Sequence, residues 1–235
     1  QVSQYANLTG LKNIKRGNDI KIKPFGIIGS QKQILEDETI SDNLGNGGVD
    51  LYYGLKSNLT LNLTYNTDFA QVESDNAQIN LTRFSLFYPE KREFFLTRSK
   101  LFGFGNSRQT EVFFSRRIGL NQDVVGGARL FGQIGKTSVG ALNIRTRDDG
   151  DLPATHYSAI RLRKDVRDRT TVGAIITDVS SKGVRNSVYG IDGQMRFWGN
   201  SSVSAWYSQV DDTSLVGPSA ASMIKLDLRN DRYFL

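Results

Sequence analysis

Residues 58–67 read Asn-Leu-Thr-Leu-Asn-Leu-Thr-Tyr-Asn-Thr. Leu59, Leu61, Leu63 and Tyr65 alternate with Thr60, Asn62, Thr64 and Asn66. Successive side chains of a strand point to opposite faces, so this segment has one apolar and one polar face. Its length matches the roughly 9–11 residues with which a tilted strand crosses a bilayer. A Leu row ending in Tyr, backed by an unbroken Thr/Asn row, suits a wall with lipid outside and water inside.

The same period recurs along the chain. Twelve strands are predicted, over 19–30, 47–54, 58–67, 79–88, 111–118, 124–133, 137–146, 155–163, 170–179, 187–197, 201–210 and 221–229. In Val188–Trp198, Tyr189, Ile191, Gly193, Met195 and Phe197 face one way, and Gly190, Asp192, Gln194 and Arg196 face the other. No apolar stripe of helical period with caps is present. Tight turns are expected at 54–57, 133–136, 164–169 and 199–200, and longer polar connections at 31–46, 147–154, 180–186 and 211–219. From residue 124 onward short and long alternate, as in barrels with short periplasmic turns and long outer loops. The expected fold is all-β, an antiparallel up-and-down transmembrane β-barrel of about twelve strands, with residues 1–235 a single domain or part of one.

Strand parity locates the least regular stretch. The turns at 54 and 133 fall on one side when four strands separate them, which places Pro89–Thr110 on the short-turn side. Its many apolar residues must bury somewhere. Phe94, Phe95, Phe102 and Phe104 are therefore expected either to fold inward as a partial plug or to contact an envelope protein partner.

Composition excludes several chemistries. The 235 residues include no cysteine and one histidine, His156, which removes structural zinc sites, thiol catalysis and disulfides. The net charge of +6 is scattered through turns and strands rather than gathered on one face, so no nucleic-acid partner is expected. The hydrophobic share of 38% is low for a soluble sandwich but sufficient for strands with one apolar face. No run approaches the ~18 apolar residues of a membrane-spanning helix. The opening Gln1-Val2-Ser3-Gln4-Tyr5 lacks the basic start and apolar run of a signal peptide, so an exported protein would be a mature chain or an internal piece. No G-x-S-x-G, S-x-x-K, H-E-x-x-H or phosphate-loop motif occurs, and no catalytic residue or cofactor is assigned.

Three clusters remain as candidates. Asp68, Glu73 and Asp75 are closely spaced carboxylates that could ligate calcium through oxygen, although they lack the one-residue spacing of a calcium loop. Glu90, Lys91, Arg92 and Glu93 form a mixed-charge run suited to a salt-bridged knot that pins the 89–110 stretch to the wall. Arg116 and Arg117, in a predicted strand, would place a guanidinium in the lumen, where it would favour anionic solutes.

Four stretches carry a family resemblance: Gly47–Asp75, Ile79–Leu96, Phe113–Leu120 and Gly126–Gly132. Together they resemble the uncharacterised β-barrel domain that follows a family-9 carbohydrate-binding-like domain in certain Gram-negative envelope proteins, over roughly residues 11 to 210. Where family members commonly carry Glu-Asn or Glu-Gly after F-F-L, this chain has Thr97-Arg98. The resemblance implies a bacterial outer-membrane location, further strands beyond Leu235 and no catalytic residues.

The expected role is a channel, transport or envelope-platform function, with outer-membrane lipid as one partner and a glycan as another candidate. Two alternatives stand beside it: a secreted carbohydrate-active enzyme or glycan-binding all-β module, and a structural subunit of an envelope complex.

Overall fold

The structure is a computed structural model that describes residues 19–34, 39–67, 88–105, 111–197, 201–217, 219–230 and 233–234. Ten strands form one sheet: β1 (Ile20–Ile34), β2 (Thr39–Lys56), β3 (Leu59–Tyr65), β4 (Val124–Ile134), β5 (Thr137–Thr146), β6 (His156–Arg167), β7 (Thr170–Ser181), β8 (Val184–Phe197), β9 (Ser201–Asp212) and β10 (Ser219–Asp227). They pair in chain order and every pairing is antiparallel. A separate pair joins β11 (Arg229–Asn230) to β12 (Tyr233–Phe234). The expected all-β, up-and-down sheet is thus present. It is not closed, because β1 and β10 are its two edges.

Several expectations are corrected. The predicted strand over 111–118 is instead a loop with one 3-10 turn at Ser115–Arg117, since two adjacent arginines and the following Gly119 break the alternation. The predicted strand over 79–88 lies outside the described residues except for its last residue. β3 pairs directly with β4, so everything between them is one long connection. It leaves β3 at Tyr65 and rejoins the sheet at Val124, both opposite the tight turns, while its Leu101 packs at Gly140, toward the tight-turn end. The polar stretches at 31–46 and 180–186 are largely strand. β1 and β2 stay paired up to Ile34 and Thr39, and β7 turns into β8 between Ser181 and Val184.

The two faces of the sheet are inverted relative to a soluble protein. On β3, Asn62 and Thr64 are 0% and 6% exposed, whereas Leu63 and Tyr65 are 39% and 63% exposed. The exposed row continues through Ile20, Ile160, Ile176 and Tyr189, which cross-strand pairing places on the same face as Leu61. The opposite face is covered by residues 88–105 and 111–118.

That covering segment shows the face to be concave. Its Glu93 end is ion-paired with Lys23 of β1, while its Gly105 end reaches Asp192 of β8 and lies against Trp206 of β9. On a flat sheet β1 and β9 would stand about 38 Å apart, at ~4.8 Å per strand. The path from 93 to 105 includes an α turn at Glu93–Leu96 and a 3-10 turn at Ser99–Phe102. With those turns it spans about 30 Å at full stretch, at ~1.5, ~2.0 and ~3.4 Å per residue for the three kinds of backbone. It also descends the sheet, from the level of Lys23 to that of Gly140, where Leu101 sits. A segment this short meets both sides only because the sheet curls around it.

Candidate functional site

The candidate site is the interface between the concave face and the covering segment. Phe94, Phe95 and Phe102 are buried with Ile118 of the same segment and with Leu142, Ile144 and Ala159 of β5 and β6. Phe94 and Phe95 meet edge to face at 5.0 Å, and Phe102 lies 5.0 Å from Phe113. Leu142 and Ile144 alternate with exposed residues of β5, so they provide a narrow apolar stripe on an otherwise polar face. Burying these aromatic side chains contributes roughly 2–3 kcal/mol each before ordering costs.

The mixed-charge run is built as a compact hub. Arg92 donates Nε to Glu90 Oε1 and Nη2 to Glu90 Oε2, both at 2.8 Å. Each of the two side chains is only 10% exposed. Arg92 also donates to the carbonyls of Ser115 and Ile118, and Ser115 Oγ donates to Glu90 Oε2 at 2.6 Å. The guanidinium stacks 4.3 Å from the Phe95 ring. Burial pushes the Glu90 carboxyl up, but the hydrogen bonds from Arg92 and Ser115 outweigh it and hold the group below its ordinary value. Lys91 adds its backbone N–H to Glu90 Oε1. Glu93 faces outward from the hub and pairs with Lys23 of β1. The hub therefore ties residues 90–92 to 115–118, and Glu93 reaches the wall at Lys23.

Arg116 and Arg117 sit on the 3-10 turn of the covering segment. Arg116 donates to the Pro89 carbonyl at 2.9 Å and lies 5.9 Å from the Tyr88 ring. Arg117 is exposed. Asp68, Glu73 and Asp75 lie outside the described residues. Among the described residues no group of three or more acidic or histidine side chains could hold a metal ion.

Two wall arginines were missed by sequence reasoning. Arg129 on β4 is 1% exposed, and it donates to the backbone carbonyls of Phe94 and Thr97. Phe131 and Phe102 flank it at 4.7 and 5.7 Å. Arg161 on β6 is also 1% exposed. It donates Nη2 to Asp192 Oδ2 at 2.7 Å, and its Nη1 lies 2.7 Å from Oδ1 as an ion pair outside hydrogen-bond alignment. Asp192 in turn accepts the Gly105 N–H at 3.1 Å. Phe104 seats over Gly190, where a Cβ would meet its ring at 2.7 Å. The available signal was a lone arginine in the inward row of an otherwise apolar strand, as in G-G-A-R-L-F-G.

Three spaces lie beside the segment among the described residues, of which two bear on the site. One of about 750 Å³ is lined by Tyr88, Phe95, Phe102, Glu111, Phe113 and Arg129. Burial raises the Glu111 carboxyl there. The other, about 480 Å³, is polar and is lined by Lys100, Arg163, Asp192, Ser204, Lys225 and Asp227.

Part of the elements that build this interface falls within a sequence-family match. Residues 21–128 match the family model of a domain of unknown function (DUF5916). The DUF5916 match takes in β1 to β3, most of the first half of β4 and the whole connection that carries the covering segment. The cover falls within the match together with β1 to β3, whereas Arg129, Arg161 and strands β5 to β10 lie beyond it. No curated protein and no solved structure matches the chain.

Proposed function

We propose that this chain forms the wall of an outer-membrane β-barrel whose lumen side carries its own plug, residues 88–118, and that it serves transport or acts as an envelope platform. One observation carries the reading: on β3 the polar Asn62 and Thr64 are buried while Leu63 and Tyr65 of the Leu/Tyr row are exposed. In water that arrangement exposes large apolar side chains on nine of the ten strands, well beyond the patches soluble monomers tolerate. In a membrane it matches the apolar-out, polar-in alternation of barrel strands. The plug supports the transport side of the reading, since the cleft beside it is lined by Lys100, Arg163 and Lys225 and offers a polar path for an anionic or hydroxyl-rich solute.

The test has two parts. The full protein is extracted and sized with and without detergent, and the reading requires aggregation without it. A monodisperse, detergent-free protein would instead favour a secreted all-β enzyme or glycan-binding module. Planar-bilayer conductance of the native chain is then compared with that of a variant lacking residues 93–105. A plug predicts low conductance that rises on deletion, and equal conductance removes the plug.

A further inference from the structure

Cross-strand pairing exposes a pattern that no single strand shows. One register row runs Leu63, Ala128, Asn143, Ser158, Asp178, Ser187, Asp211, each residue directly opposite the next from β3 to β9. All seven lie on the outer face. The row begins apolar and ends charged, so it cannot lie at one depth in a bilayer. A second row runs Leu59, Gly132, Val139, Leu162, Ala174, Ile191, Tyr207. Tyr65 is six residues above Leu59 on β3, and Tyr207 lies on the Leu59 row six strands further on. The upper limit of the apolar band therefore falls by one residue per strand.

From this we infer that the bilayer meets the wall along a line through Tyr65, Tyr189 and Tyr207, with the strands tilted about 35° to the membrane normal. A slip of one residue per strand gives that angle from ~3.3 Å along and ~4.8 Å across the strands, and it lies within the usual barrel range of roughly 35–45°. The inference rests on the membrane reading and adds the position and slope of the interface.

The outer side chains sort by this line. Ile160 and Ile191 fall below it, Ile176 lies on it, and all three are exposed. Ser158, Asp178, Ser187 and Asp211 fall above it. Tyr189 and Tyr207 lie at it, 48% and 45% exposed, as an interfacial aromatic girdle requires. The tight turns give the same slope independently. β3 starts at Leu59, whereas β9 starts at Ser201, six residues below Tyr207. Toward the turns the band ends near Tyr53, Lys164 and Phe197, five to seven residues or about 14–19 Å below the tyrosine line at ~3.3 Å per residue with this tilt. Lys164 there can snorkel to the headgroups. On the far side, the β1–β2 hairpin stays paired to Ile34 and Thr39. That is about eight residues above the line, so the hairpin stands roughly 20 Å clear of the lipid at the same rise.

The chain has no cysteine, which permits single-site labelling of the full protein in phosphatidylcholine vesicles. Leu63→Cys, Ile160→Cys and Ile191→Cys carry an environment-sensitive fluorophore inside the band, and Ser158→Cys, Asp211→Cys and Gly45→Cys carry it above. Only variants that retain the strand signature in circular dichroism are compared. The expected result is quenching by mid-chain lipid nitroxides and loss of iodide quenching for the first group, with the reverse for the second. Lipid quenching at both Leu63→Cys and Asp211→Cys would overturn the sloping line while leaving the membrane reading intact. Iodide quenching at every position would overturn the membrane reading itself.

Discussion

The guanidinium of Arg129, in the middle of β4, donates to the backbone carbonyl of Phe94 in the covering segment. It also reaches the Thr97 carbonyl, and both bonds are formed out of water. A helix of one turn leaves its carbonyls unpaired, and a charged planar donor serves two of them at once. Arg129→Ala should weaken docking of the segment by about 3–5 kcal/mol, from two charge-assisted bonds of ~1.5–3 kcal/mol each. Arg129→Lys should recover roughly half, because one ammonium cannot hold the same fork. Hydrogen exchange of the amides between Phe94 and Gly105 measures both, and unchanged protection in Arg129→Ala would refute the anchoring.

Acid should loosen the hub around Glu90. Its carboxyl is held below the ordinary value, so its contribution is complete above the unfolded pKa of 4.5 and is lost as pH falls through the lower folded value. The side chain is nearly buried, so salt screening does little. Pepsin cleavage within 88–118 should therefore rise at the acid end of its working range in the native chain. Glu90→Gln removes the titration and should give a flatter profile from a weaker starting point. Parallel profiles would show that Glu90 does not set the acid response.

Gly190 leaves room for the Phe104 ring. A Cβ there would lie 2.7 Å from that ring and 3.0 Å from Ile175. Gly190→Ala should cost about 1–3 kcal/mol by overpacking, and should shift Phe104 away from Trp206, whose ring centroid is 6.1 Å distant. In a Trp198→Phe background the emission of Trp206 reports that shift. Adding Phe104→Leu should restore much of the loss, whereas strictly additive effects would show that the two positions do not share the space.

Local alternation made the sheet legible. Leu59, Leu61 and Leu63 against Thr60, Asn62 and Thr64 define a strand and its two faces without any tertiary information. The strand predicted at 111–118 failed for the complementary reason, since Phe113 packs on Phe102 and its cluster and the chain turns into a 3-10 helix at Ser115. Parity counting took 111–118 as one of its four passes, and that stretch is a loop with a 3-10 turn. The inward position of Phe94, Phe95, Phe102 and Phe104 was one of two readings open from composition alone. Arg129 and Arg161 were not legible as anchors, because their partners are a distant carbonyl pair and an aspartate on another strand. Long-range pairing of that kind leaves no local periodicity to read.

The Arg161–Asp192 pair closes the far end of the segment. Asp192 holds Arg161 on one side and the Gly105 N–H on the other, so its removal strands a guanidinium that is 1% exposed. Asp192→Ala should cost about 3–5 kcal/mol, the usual penalty for an uncompensated buried charge. The double variant Arg161→Met with Asp192→Leu removes the charge together with its partner and should regain most of that loss. Arg161 is flanked by Phe104 at 5.7 Å, so an apolar side chain has a surface to pack against. Thermal unfolding of the native chain and the two variants in detergent makes the comparison. If the double variant were as unstable as Asp192→Ala, the pair would matter for shape or for Gly105 rather than for charge, and the anchoring argument would have to move to the Gly105 N–H alone.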